Sequence, residues 1–349
     1  MAARRTRFDE RSFHAWLAAH LPAGRATPLP LGDDAAALRP RRGEVAIVTA
    51  DALVEGTHFR RASPPAAIGA AAAAVNLSDL AAKGAQPAGL LLALLVPPAT
   101  PRRWAEAVVL GAERTARAYG AHVVGGDTKA SPRRAVVGTA IGWARPDRLA
   151  PRSGARPGDL LVTTGTVGRG GAAAARLGRR PDRRTLRDLL AITPRVAGGR
   201  ALAPFVRAML DTSDGLAAAA HLLAAASHVR VRLVEAALPF DPRVRDLPPA
   251  RRRALAFFGG DYELLASLPP GRLRAARAAA RAARLPLHVI GDVTAGRGAV
   301  LATDRGAIPL PAGGWDPFRP RRPPTARPPR RSPDVEPRAP PSQGRATLK

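Results

Sequence analysis

The sequence has no cysteine among its 349 residues, which excludes disulfides, zinc–thiolate sites and thiol nucleophiles. Lysine is almost missing: Lys83, Lys129 and Lys349 are the whole complement, within 55 Lys and Arg together. Aromatic residues make up 4% of the chain and are not interleaved with the arginines. That leaves no stacking platform for nucleic-acid bases. Long apolar runs are also lacking. The most apolar stretch, AGLLLALLVPP (88–98), is too short to span a bilayer and ends in two prolines. Asp9, Glu10 and Arg11 precede any apolar segment, unlike a signal peptide. A cytoplasmic protein without a membrane segment is the expectation. Two phosphoryl-transfer signatures are absent as well, the P-loop G-x-x-x-x-G-K-[ST] and the H-R-D and D-F-G pair of protein kinases.

What is present in excess is arginine, and the net charge is +28. A strong positive field favours polyanions and phosphorylated small molecules. Yet the Ala, Arg, Gly and Pro excess runs through every loop, as a genome-wide composition bias would produce. The helix RAARAAARAAR (274–284) reads as a solvated charged face by the same reasoning.

The length suits two domains. A β-branched strand at 45–50 delivers Asp51 at its end, an alanine-rich helix covers 66–85, and a buried strand covers 90–96. A helix at 102–119 and strands at 122–124 and 135–143 complete a first unit ending near residue 150. RSGARPGD (152–159) is a turn-rich joint. A second α/β unit runs over 151–318, and the Pro-Arg-rich residues 319–349 read as a disordered tail.

Aspartates recur at turns beside glycine: Asp33 and Asp34 in LGDDAA, Asp51 in VTAD, Asp79 in NLSD, Asp127 in GGDT, and Asp211 with Asp214 in DTSDG. Singly, each is a turn or a helix cap. DTSDG is more specific, because an apolar run precedes it and a helix follows it, so both carboxylates sit near a helix N-terminus, where metal and phosphate are held together. Magnesium takes one or two carboxylates and completes its shell with water and phosphate. Seven aspartates facing a nucleoside triphosphate would repel it unless several metal ions lay between them. The series therefore points to ATP, several Mg²⁺ ions and phosphoryl transfer. His58 in EGTHF, seven residues after Asp51, reads either as a core histidine or as a substrate contact.

LGDDAA, TAD with EGTHF, AVNLSDLAAKGAQP, VVGGDTKAS, RSGARPGD, DTSDGL and GDYELL occur in this order. Together they resemble the thiamine-monophosphate kinase family of the aminoimidazole-ribonucleotide-synthetase-like ATP-binding superfamily, over residues 31–318. The resemblance implies a two-domain α/β (α+β) synthetase-like fold, with a mixed sheet in the N-terminal domain that pairs in a homodimer. It implies transfer of the γ-phosphate of ATP to thiamine monophosphate. On that likeness Asp34, Thr49, Asp51, Asp79, Asp127, Asp211 and Asp214 are magnesium ligands. Gly126, Asp127, Arg152 and Ser213 would contact ATP, and His58 and Trp315 the thiamine phosphate. Where the family has two adjacent acids before DYEL, this chain has Gly260 and Asp261. Either Gly260 replaces a substrate-binding acid, or one residue is deleted and Asp261 takes its place as the contact. Lys83 stands where the family has methionine, and reads as a solvated side chain. Selenophosphate synthetase and hydrogenase-maturation relatives depend on cysteine and do not fit. A purine-type ATP-dependent ligase is the rival enzyme, and a basic nucleic-acid-binding protein the rival from another class.

Overall fold

Along Ala135–Ala144 residues alternate between half-buried and buried without a break, the signature of a strand whose sheet is covered on one face only. The structure, a computed structural model, describes residues 10–21, 38–39, 41–177, 181–312 and 314–315. Asp34 and the expected tail, 319–349, lie outside the described residues.

The first unit contains α1 (Glu10–His20), β1 (Val45–Val54), α2 (Pro65–Ala82), β2 (Gln86–Val96), α3 (Arg102–Ala118), β3 (His122–Ala130) and β4 (Ala135–Ala144). Its mixed sheet has the order β1-β4-β2-β3, with β2 and β3 parallel and the other pairs antiparallel. Helices α2 and α3 cover one face. They lie almost backbone to backbone, because a Cβ on Gly69 would sit 1.8 Å from the Val108 carbonyl oxygen and one on Gly111 2.1 Å from that of Ala66. Alanine at most other α2 positions lets this helix be enclosed nearly all round. Among the described helices α2 is the one long and apolar enough to cross a membrane, and here it is packed inside the fold.

The second unit holds β5 (Leu160–Thr164), α4 (Arg169–Ala175), α5 (Arg183–Leu189), α6 (Val196–Leu202), β6 (Ala208–Asp211), α7 (Leu216–Ser227), β7 (Arg230–Val234), α8 (Pro242–Arg245), α9 (Pro249–Ala256), β8 (Leu264–Leu268), α10 (Leu273–Ala282), β9 (Leu287–Thr294), β10 (Gly298–Thr303) and β11 (Gly306–Pro309). Its sheet has the order β11-β10-β7-β9-β5-β8-β6. Only β10 and β7 pair in parallel. Apolar clusters line both of its faces, one built on α7, the other on α6 and α10.

The two units share a close joint. Leu190 and Val196 of the second unit are buried in the core of the first, and Ala82 of α2 joins the core of the second. Where α6 crosses α2, a Cβ on Gly199 would lie 1.9 Å from the Ala81 carbonyl oxygen.

Two strand boundaries differ from the sequence expectation. β1 runs on to Val54, so Asp51 lies within the strand, opposite Gly138, and not at its end. β3 runs on to Ala130, so GGDT is strand and not loop.

Candidate active site: an acidic cleft between the domains

The residues that build the site come from both units because α2 points its polar side chains at the joint. On α2, Asn76 is fully buried. Its amide donates to the Ala72 carbonyl at 2.9 Å, and its side-chain oxygen accepts the Asp51 N–H at 3.1 Å. That bond ties the middle of β1 to the helix. Gly138, across from Asp51 on β4, leaves the room, since a Cβ there would fall 2.3 Å from the Asn76 amide. One turn on, the Thr49 hydroxyl donates to the Asp79 carboxylate at 2.6 Å. Ser78, one residue before, donates to Asp211 at 2.7 Å across the domain boundary.

Asp211 ends β6, and its second oxygen accepts from Ser213 at 2.8 Å. The loop 211–215 is held against the loop 257–263. Thr212 exchanges backbone and side-chain bonds with Glu263, and the Gly260 N–H donates to the Ser213 carbonyl at 2.7 Å. Gly215, at φ +103°, is forced by this fit, because a Cβ would lie 2.7 Å from the Phe257 carbonyl oxygen.

The result is a cavity of about 760 Å³ lined by Asp51, Asp79, Asp211 and Asp214, together with His58, Lys83, Arg152, Ser213, Tyr262 and Trp315. Partial burial, then the charges of Asp79, Asp211 and Asp214, push the Asp51 carboxyl up to about 6. Burial also raises Asp79, against the bond from Thr49. Four carboxylates so placed repel one another and call for cations. No three of them converge tightly enough to enclose an ion alone among the described residues. Magnesium carried with a nucleotide needs only one or two protein carboxylates, so an all-oxygen donor set of this kind fits it.

His58 accepts the Val54 N–H on Nδ1 at 3.1 Å, and burial lowers its pKa. The ring is thus neutral and presents Nε2–H as a donor. It lies 6.2 Å from the Trp315 ring, which also meets Phe258 edge-on at 6.0 Å. The Trp315 backbone N–H donates to the Asp214 carbonyl at 3.0 Å, anchoring the residue to the acidic loop. Arg152 is exposed at the cleft.

Two expectations, for Asp261 and Lys83, are corrected, and Gly126 with Asp127 is not brought to the cavity. Asp261 is 5% exposed and does not line the cavity. Its two oxygens accept the N–H groups of Gly168 and Gly170 at 2.8 Å each, so it fixes the start of α4 and makes no contact a substrate could use. Gly126 and Asp127 lie on edge strand β3 and outside the cavity. Asp127 pairs across the sheet with Ala93, on the uncovered face, and bonds Lys129 at 3.0 Å. Gly126 is required by β2, because a Cβ would fall 2.0 Å from the Leu92 carbonyl oxygen. Lys83 is not solvated. It is half-buried at the joint and donates to the carbonyls of Ala150 and Met209 at 3.2 and 3.1 Å.

Sequence reasoning missed Asn76, Ser78 and Tyr262. The first two sit inside NLSD, where the helical spacing that aims Asp79 at the joint also aims its neighbours. Tyr262 carried a weaker signal, an aromatic directly after G-G-D.

Residues 32–144 match the N-terminal domain of AIR synthase related proteins and residues 156–304 their C-terminal domain. The chain is 39% identical to the thiamine-monophosphate kinase of Halobacterium salinarum over 76% of this chain and 88% of that one. It is 34% identical to the Escherichia coli K12 thiamine-monophosphate kinase over 83% and 92%. Among solved structures, that of the thiamine-monophosphate kinase from Stenotrophomonas maltophilia superposes with a TM-score of 0.71 at 35% identity, over 80% of this chain and 92% of that one. A second, AaThiL complexed with AMPPCP and TMP, superposes with a TM-score of 0.67 at 27% identity, over 79% and 88%.

Proposed function

We propose a reaction that proceeds from one premise: the chain belongs to the AIR synthase related family and, within it, to the thiamine-monophosphate kinases. It phosphorylates thiamine monophosphate with ATP, forming thiamine diphosphate and ADP. The observation that carries this reading is the meeting of Asp51 and Asp79 with Asp211 and Asp214 in one interdomain cavity.

The acceptor phosphate is already anionic at neutral pH, so no general base is required. One of its oxygens attacks the γ-phosphorus in line. The new P–O bond forms as the bond to the β,γ-bridging oxygen breaks, and ADP leaves with that oxygen. Magnesium, when bound, supplies the positive charge that screens the phosphates from each other and from the aspartates. Thr49, Asp51, Asp79, Asp211 and Asp214 would hold it, with Asp34 and Asp127 added by motif. Ser78, Ser213 and Thr49 aim the carboxylates without neutralising them. Arg152 forks onto nucleotide phosphate. The His58 Nε2–H and the Trp315 ring hold the thiamine phosphate. ATP as co-substrate favours the cytoplasm.

A second copy completes the molecule by covering the open face of the first sheet. Val48, 61% exposed, lies on that face with half-buried Leu91, Val137 and Ile141, an apolar patch bordered by Asp127. Val48→Glu would then convert a dimer into a monomer in sedimentation experiments.

The decisive assay is direct measurement of thiamine diphosphate from ATP, magnesium and thiamine monophosphate, with Asp214→Asn as the control. Absence of product from a wild-type protein that still binds nucleotide would mean a different acceptor. Label from γ-labelled ATP retained on the protein would refute direct transfer.

A further inference from the structure

Tyr262 has a backbone that its side chain alone does not explain. Its φ is +57°, a region that bulky residues enter only under external constraint. The constraint is visible on both sides. Asp261 before it is locked by two backbone N–H groups. Glu263 after it is 3% exposed and accepts from the Thr164 hydroxyl at 2.7 Å and from Arg195 at 2.8 Å. Two buried acids facing into the second domain turn the residue between them the other way. The Tyr262 ring consequently leaves its own domain, packs against the core of the first, and lines the acidic cavity.

The phenol ends in a place that suits a donor. Its hydroxyl has no hydrogen-bond partner among the described residues, whereas the Thr49, Ser78 and Ser213 hydroxyls are all engaged by the cluster's carboxylates. Burial, then the charges of Asp211, Asp51, Asp214 and Asp79, oppose its ionisation, so it keeps its proton throughout the working pH range. A donor held by strain at the edge of an acidic cluster is built for a ligand that brings acceptor oxygens together with its own cations.

We propose that Tyr262 is a phosphate-contacting residue of this cavity, its hydroxyl donating a hydrogen bond to an oxygen of a bound phosphate group. The inference rests on the reading of the cavity as a phosphoryl-transfer site. It adds to that reading a neutral donor among the carboxylates, positioned by the residues on either side of it.

Tyr262→Phe tests this with the ring and backbone kept. The wild type and the variant are titrated with a non-hydrolysable ATP analogue plus magnesium and, separately, with thiamine monophosphate. Their kcat and KM for thiamine diphosphate formation are measured alongside. The loss of one hydrogen bond to a charged group should weaken at least one ligand, or lower kcat, by about 10- to 100-fold, with the melting temperature unchanged. Tyr262→Ala, which also removes the interdomain packing, should in addition melt earlier. Wild-type binding and kinetics in Tyr262→Phe would overturn the proposal, as would a loss that tracks only a lowered melting temperature. If the wild type makes no thiamine diphosphate, the kinase reading fails, and the nucleotide titration still decides the role of Tyr262.

Discussion

The carboxylates of the cleft and those of the interior are the same chemical group put to opposite uses. Inside the second domain each acid is answered by the protein. Asp159 accepts from Arg207 and the Arg156 N–H, Glu235 from Arg252 and Arg253, Glu263 from Arg195, and Asp261 from two backbone N–H groups. In the cleft the donors to Asp79 and Asp211 are hydroxyls, from Thr49, Ser78 and Ser213. A hydroxyl fixes the direction of a carboxylate and leaves its charge in place, whereas a guanidinium cancels it. The contrast separates charge held for a ligand from charge spent on the fold.

The comparison breaks first at the cleft. Asp211→Asn should lower thiamine diphosphate formation by roughly 100- to 1000-fold. Calorimetry in metal-free buffer should show an unchanged or higher melting temperature, because a repelling charge has gone. An interior acid should behave in reverse. Glu263→Gln leaves Arg195 without its counter-charge and should cost ~3 kcal/mol of stability with or without magnesium, read by denaturant titration. Lys83 stands between the two classes, a cation shared by both domains. Lys83→Met should lose about 1–2 kcal/mol and, with a cation gone from beside Asp79 and Asp211, lower the magnesium concentration at half-maximal activity.

The smallest effect expected is one of pH. Burial, opposed by its two backbone bonds, raises the Asp261 carboxyl to about 6 from the ordinary 3.8. A group raised in the folded state contributes its stability below 3.8 and loses it as pH climbs through 6. The stability difference between wild type and Asp261→Asn should therefore shrink in favour of the variant from pH 4 to pH 6.5. A constant difference would mean the carboxyl titrates normally.

Much of the cleft was legible because its signals are local. An apolar run ending in an aspartate-rich turn beside glycine marks Asp211 and Asp214, whereas Asp79 lies within α2 and is marked by the polar NLSD interruption of an alanine-rich helix. Asp51 was found for a partly mistaken reason. The β-branched run suggested a strand ending at residue 50, but pairing with β4 carries it on to Val54. Asp261 was misread because nothing in GGDYEL says that both acids turn away from the cavity and the tyrosine between them turns toward it. The positive φ at Tyr262 decides that, and it is set by contacts with residues far along the chain. Lys83 failed for a similar reason. In sequence it looks like the exposed end of a helix, and only the docking of β6 and residue 150 against α2 encloses it. Of the fold, the order of elements was readable, whereas the pairing of β10 with β7 and the crossing of α2 by α6 were not.

That crossing has a kinetic corollary. With no side chain between Gly199 and the Ala81 carbonyl, the two domains meet backbone to backbone at this point. A joint this close should restrict domain closure, so selection of the acceptor by induced fit is not expected. Discrimination must then reside in a preformed contour, and turnover should be limited by chemistry or by product departure instead of by domain movement.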